Sequence, residues 1–173
     1  QLQKSGYTTL TLPSANATAN QILKNDGSGG LSWAEDSNGL VLKVYENNLN
    51  TTVTTTSTSY VASGLQIITD APASTSSRFL LTLLGGKQLG TVAYGFQATT
   101  FYAGGVEVSD TGPYEEYMYH VSTQKDAHSA QMIHSPASAS AQTYAVFYKM
   151  SLGTGSFNVS PVRVVFTVTE LRV

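Results

Sequence analysis

Apolar and polar residues alternate at a period of two along much of this chain, and almost nowhere at the 3.6-residue period of an amphipathic helix. Successive side chains of a strand point to opposite faces, so the pattern predicts half-buried β-strands. Residues 40–45 alternate cleanly. So do residues 114–122, which place Tyr117, Tyr119 and Val121 on one face and Glu116, Met118 and His120 on the other. Further strands are expected over 7–12, 64–69, 90–102, 130–134, 143–150 and 162–173. Residues 78–84 are apolar on both faces, as in a central strand covered by neighbouring layers. Residues 47–59 are polar and Thr-rich, which fits an extended edge strand or an ordered linker.

Turn chemistry separates these runs. Asn25-Asp26-Gly27-Ser28-Gly29-Gly30 lies between short runs at 21–24 and 31–33. It reads as a hairpin loop, because Asn, Asp and Gly tolerate positive φ. Residues 70–77, Gly85-Gly86, Gly104-Gly105, Asp110-Thr111-Gly112-Pro113 and Gly153-Thr154-Gly155 read as turns or breaks between strands. Short strands with turns at short intervals predict an all-β fold, an antiparallel β-sandwich of jelly-roll-like form, over residues 39–173. Residues 1–38 carry few apolar side chains and cannot enclose a core alone. They are expected to form a β-rich neck or shaft by pairing with neighbouring subunits.

Composition narrows what such a sandwich does. The 173 residues are 41% hydrophobic, enough for a core, but only 12% charged. That is about half of the roughly 25% usual for soluble domains. Ser, Thr, Asn, Gln and Gly cover the surface instead, a composition that favours close contact with other surfaces, including copies of itself. Nine basic and eleven acidic residues give a net charge of −2 with no Lys/Arg cluster. The footprint of a nucleic-acid binder is therefore missing, as is a polybasic or long apolar segment for a membrane. Cys is absent, which removes disulfides, thiol catalysis and thiolate metal sites. The chain opens at Gln1 without a signal peptide and is read as the C-terminal piece of a longer protein.

Catalytic constellations are scarce. Glu115 and Glu116 are adjacent, and neighbouring strand residues point apart, so they are poorly placed to flank one glycosidic bond. His120, His128 and His134 lack metal-ligand spacing, and no nucleophile elbow or phosphate loop is present. No enzyme activity, cofactor or metal is expected. The aromatic residues carry more information: ten Tyr, six Phe and one Trp. Tyrosine combines an apolar ring with a hydroxyl at low entropic cost, which suits it to stacking on sugar faces. Acidic residues nearby would accept hydrogen bonds from sugar hydroxyls. The candidate ligand-binding residues are accordingly Phe101, Tyr102, Asp110, Tyr114, Glu115, Glu116, Tyr117, Tyr119 and Asp126.

Two stretches resemble known proteins. Leu10-Thr11-Leu12-Pro13 followed by Gln21-Ile22-Leu23-Lys24-Asn25-Asp26-Gly27-Ser28-Gly29-Gly30-Leu31-Ser32-Trp33 resembles a segment that precedes the head domain in phage tail fibres and other viral fibre proteins. Thr56-Ser57-Thr58-Ser59-Tyr60-Val61-Ala62-Ser63-Gly64-Leu65, with Ala73-Ser74-Thr75-Ser76-Ser77-Arg78, looks like the opening of their C-terminal heads, which usually carry Lys where this chain has Arg78. Gly153-Thr154-Gly155-Ser156-Phe157 is similar to the end of such heads. Residues 87–140 match no motif of the family.

The resemblance implies a homotrimeric fibre tip in the virion, outside the cell, joined to other fibre or tail proteins. It implies attachment to a host-surface glycan or receptor, with affinity multiplied by three sites per tip. The alternative is a structural trimerisation or capping module with no ligand of its own. A fibre-borne depolymerase would need clustered carboxylates or a long repeat body, and neither is visible.

Overall fold

Among the described residues of the computed structural model, every regular element is a β-strand. The structure describes residues 10–18, 21–35, 40–92, 95–108, 116–119 and 126–173. The chain divides into two compact units, Gln1–Gly39 and Leu40–Val173.

In the first unit, β1 (Gln21–Asn25) and β2 (Leu31–Glu35) pair antiparallel. The loop between them is built by its own acidic and amide side chains. Asp26 Oδ1 accepts the N–H groups of Ser28 and Gly30 at 2.7 and 2.9 Å, and Asn25 Oδ1 accepts that of Gly27 at 2.7 Å. Gly27 sits at φ +86°, the left-handed region that glycine enters without strain. Of the strand expected over 7–12, residues 10–12 contribute one parallel bridge between Thr11 and Gly30. The Trp33 indole donates to Ala15 O at 2.7 Å.

The second unit is an antiparallel β-sandwich. One layer has six strands: β3 (Val41–Leu49), β4 (Val53–Thr55), β6 (Arg78–Gly90), β10 (Asp126–His134), β12 (Gly155–Asn158) and β13 (Val164–Leu171). The other has five: β5 (Val61–Ile68), β7 (Phe96–Ala103), β8 (Val106–Glu107), β9 (Glu116–Tyr119) and β11 (Thr143–Met150). Alternation supplies the core. Phe79, Leu81 and Leu83 of β6 and Val164, Phe166 and Val168 of β13 meet Tyr144, Val146 and Tyr148 of β11 and Phe101 of β7. Ring pairs bridge the layers: Phe101 on Phe166 at 5.7 Å, Phe79 on Tyr144 at 5.4 Å and Tyr148 on Phe157 at 5.2 Å.

Two local expectations are corrected and a third is refined. Gly85-Gly86 does not end the strand. β6 continues to Gly90, with both glycines at positive φ, and changes partner there from β13 to β12. A Cβ on Gly86 would lie 2.9 Å from Val164 Cβ, so the bend needs glycine. Gly155 does not belong to a break either but opens β12, packed directly against Met150 Sδ. The polar stretch 47–59 is divided: β3 runs to Leu49 and β4 forms a separate short edge strand. Asn158 pins this region from inside. It is fully buried, donates to Leu49 O and Val162 O at 3.1 and 2.7 Å, and accepts the Lys87 N–H at 3.2 Å.

Candidate functional site: an aromatic platform on the five-stranded sheet

Strand β11 puts Tyr144, Val146, Tyr148 and Met150 into the core, so Thr143, Ala145, Phe147 and Lys149 belong to the opposite face. On the neighbouring β7, Phe101 points inward and Tyr102 outward. Ala145 pairs Tyr102 and Phe147 pairs Thr100, which brings the two outward rings together. Tyr102 stacks on Phe147 with centroids 4.0 Å apart and an interplanar angle of 26°. Tyr60, immediately before β5, meets the edge of Tyr102 at 6.3 Å. Lys149 Nζ lies 4.3 Å from the centre of the Tyr60 ring, within cation–π range.

A groove of about 210 Å³ opens beside these rings, lined by Ala62, Gly64, Gln66, Gly105, Thr143 and Ala145 as well as Tyr102 and Phe147. Gly64 (φ +91°) lies where the register between β5 and β11 shifts, and a side chain there would enter open space. Its absence leaves the groove unfilled. Burial raises the Tyr102 pKa above the ordinary phenol value; Glu107 adds to the rise and Lys149 opposes it. The hydroxyl therefore stays protonated at neutral pH, able both to donate and to accept. The arrangement offers flat apolar faces, the phenols of Tyr60 and Tyr102, and one ammonium group.

The residues expected from sequence divide sharply. Tyr102 is in the platform. Phe101 is corrected: it is fully buried against Phe166 in the core, so it contacts no ligand on this surface. The alternation that turns Tyr102 out turns its neighbour in. Asp110, Tyr114 and Glu115 lie outside the described residues. Glu116, Tyr117 and Tyr119 lie on β9, whose backbone pairs them with Thr99, Ala98 and Phe96 at the edge of the same sheet. Asp126 lies on β10 of the other sheet, opposite Gln88. Tyr60, Phe147 and Lys149 were not expected. A signal for Phe147 was present, since it is out of phase with Tyr144, Val146 and Tyr148 and must face away from them.

No family model and no curated protein matches the chain. Among solved structures, the chain is similar to that of the infectious bursal disease virus Gt strain, with 8% identity and a TM-score of 0.43 over 92% of this chain and 47% of that one. The infectious bursal disease virus VP2 subviral particle gives 8% identity and a TM-score of 0.41 over 92% and 44%. The chain thus spans about half the length of the solved chains it resembles.

Proposed function

We propose that this chain is the attachment module of a virion fibre, binding a host-surface glycan or receptor through the platform of Tyr60, Tyr102 and Phe147. The reading is of a binder and not a catalyst. The carrying observation is the contiguous outward stack of those rings beside an unfilled groove. Large rigid rings that are already packed together lose little entropy on binding, and stack on the apolar faces of sugars. The motif resemblance to fibre heads supports the same reading, with the site repeated in a homotrimer and affinity gained by multivalency. The test is binding of the full chain to host cells and to a glycan array. Tyr102→Ala is expected to lower binding about tenfold or more while the protein stays folded, as judged by circular dichroism. Unchanged adhesion in that variant would overturn the platform as the grip.

A second reading, a structural capping module, is favoured by the outer face of the six-stranded sheet. Val44, Leu84 and Ile133 are 61%, 49% and 43% exposed there, with half-buried Leu80, Val165, Thr82, Thr167 and Thr169 between them. The strand pairing places these residues on β3, β13, β6 and β10 in adjacent rows. At about 4.8 Å per strand and 3.3 Å per residue, four strands and three outward rows span roughly 400 Å². Two of them cover roughly 800 Å², short of the ~1,000 Å² of a small specific interface, so pairing through this face needs further contacts around it. A second copy of this chain is the occupant that fits, since the charged pair Arg163–Glu46 is internally compensated and two copies meet without like-charge repulsion. This face and the platform belong to different sheets, so self-association leaves the rings available.

A further inference from the structure

The groove beside the aromatic platform is shaped by a bulge in the sheet. Across β5 and β11 the pairing passes from Gln66 opposite Ala145 to Ala62 opposite Phe147. Ser63, Gly64 and Leu65 therefore stand against Val146 alone. Ser63 holds this extra length in place. It is buried, and its hydroxyl donates to Val146 O at 2.8 Å and accepts the Leu65 N–H at 3.2 Å. Gly64, at φ +91°, puts no side chain over the opening. Bulges are frequent beside active sites, where they re-aim the side chains of a strand.

Ala145 is the floor of the groove. Along β11 its neighbours on the same face are Thr143 and Phe147, each about 7 Å away. Across the sheet it stands directly opposite Tyr102 on β7 and Gln66 on β5, each about 5 Å away. Four longer side chains thus surround one methyl group, and all five residues line the same recess of about 210 Å³. Its chemistry is divided. Tyr102 and Phe147 form an apolar corner, and Gln66 and Thr143 form the polar corner across from it. Among the described residues no charged side chain lines the recess, and no hydrogen bond within the protein engages the Gln66 amide or the Thr143 hydroxyl. A carboxylate or phosphate would find no countercharge here. A hydroxymethyl group would give up water against the rings without return. A bare methyl group would cover the amide and the hydroxyl without pairing them. An acetamido group suits both corners. Its methyl meets the rings, and its C=O and N–H match the Gln66 amide and the Thr143 hydroxyl, each of which both donates and accepts. The volume equals that of about seven waters, enough for such a group.

We propose that the recess over Ala145 takes the acetamido group of an N-acetylated sugar whose ring lies against the aromatic platform. The proposal rests on the platform reading and deepens it from any host-surface receptor to a glycan that carries such a sugar. Tyr102 and Phe147 supply stacking common to many sugars. Gln66, Thr143 and the small size of Ala145 set the choice among them.

The test titrates the full chain with N-acetylglucosamine, N-acetylgalactosamine, glucose, galactose and 6-deoxygalactose, read by saturation-transfer NMR and calorimetry. At least one N-acetylated sugar is expected to bind about tenfold or more tightly than its parent hexose, with the strongest saturation on the acetyl methyl. The 6-deoxy sugar brings a methyl group without an amide and should bind no better than galactose. Ala145→Leu fills the recess, and Gln66→Leu removes the amide. With the fold intact by circular dichroism, each should bring the N-acetylated sugar down to the level of its parent hexose. A preference that survives in either folded variant overturns the recess as its site. Equal binding of N-acetylated and parent sugars by the wild-type chain overturns the proposal, and so does a 6-deoxy sugar that matches the N-acetylated ones. A wild-type chain that binds none of the five sugars overturns it as well. Host-cell adhesion of Tyr102→Ala, measured alongside, separates these failures from failure of the platform. Reduced adhesion keeps the platform as the grip, and unchanged adhesion removes both.

Discussion

The two outer faces of the sandwich are made by the same strand geometry but present opposite chemistry. The six-stranded sheet shows aliphatic and β-branched side chains, Val44, Leu80, Leu84, Val165 and Ile133, interleaved with threonines. The five-stranded sheet shows Tyr60, Tyr102 and Phe147 with Lys149 beside them. An aliphatic face gains by area and has little directional preference, so any matching flat surface satisfies it. An aromatic face with two phenols and an ammonium group gains by stacking and by placed hydrogen bonds, which depend on the partner's shape. A low charge content is common to both, and keeps either from being dominated by solvation. On the proposed reading, the difference divides cohesion and recognition between the two faces.

The largest perturbation removes both faces at once. Phe166 is fully buried and stacks on Phe101 across the layers. Phe166→Ala is expected to cost about 3–5 kcal/mol by denaturant unfolding, as a ring-sized cavity opens between the sheets. Separate transitions for the two faces in that variant would show that they are not held by one core. A more selective perturbation is Leu84→Glu combined with Ile133→Glu. Both side chains lie on the outer face of the six-stranded sheet, and on the proposed self-association the pair should prevent oligomer formation in sedimentation while each monomer stays folded. Avidity toward a multivalent surface would then fall by about a hundredfold. An unchanged sedimentation coefficient would remove the cohesive role.

The smallest expected effect concerns a strut between the layers. Lys43 of β3 donates to Asp70, just after β5, at 2.9 Å, and Tyr45 lies 3.5 Å from the same carboxylate. The Lys43 hydrogen bond holds the Asp70 pKa below the ordinary carboxylate range. Its contribution is therefore present above that range and is lost as pH falls through the depressed value. Both side chains are well exposed, so the effect is slight. Asp70→Asn should melt marginally below the parent protein at neutral pH, and the gap should close on acidification. A gap that persisted in acid would mean that the strut works through packing instead of charge.

Much of the layering was legible in the sequence because β11 and β13 alternate without interruption, inward Tyr144, Val146 and Tyr148 in one and Val164, Phe166 and Val168 in the other. β12 was not legible. All four of its residues, Gly-Ser-Phe-Asn, are buried, so no polar phase betrays a strand, and two glycines suggest a turn. The course of β6 was hidden for a related reason, since Gly85-Gly86 signals a stop and only the partner strands show it to be a bend. At the site, Tyr102 was recognisable by residue type, while its partners Tyr60 and Phe147 come from the segment just before β5 and from β11. No local pattern in 101–126 points to them. Contacts across a sheet are set by register, and register is fixed by the whole layer.

The bend of β6 has a mechanical side. β13 lies between β3 and the first half of β6 and is hydrogen-bonded to both along its length. Tension drawn along β13 against those neighbours loads the ladder in shear, so its bonds share the force and fail together. Beyond the bend, β6 holds β12 through a shorter pairing at Gly155 and Ser156. The same strand thus joins a region that resists pulling to one that yields sooner, and stretching this chain should release the β12 corner before the body of the sandwich gives way.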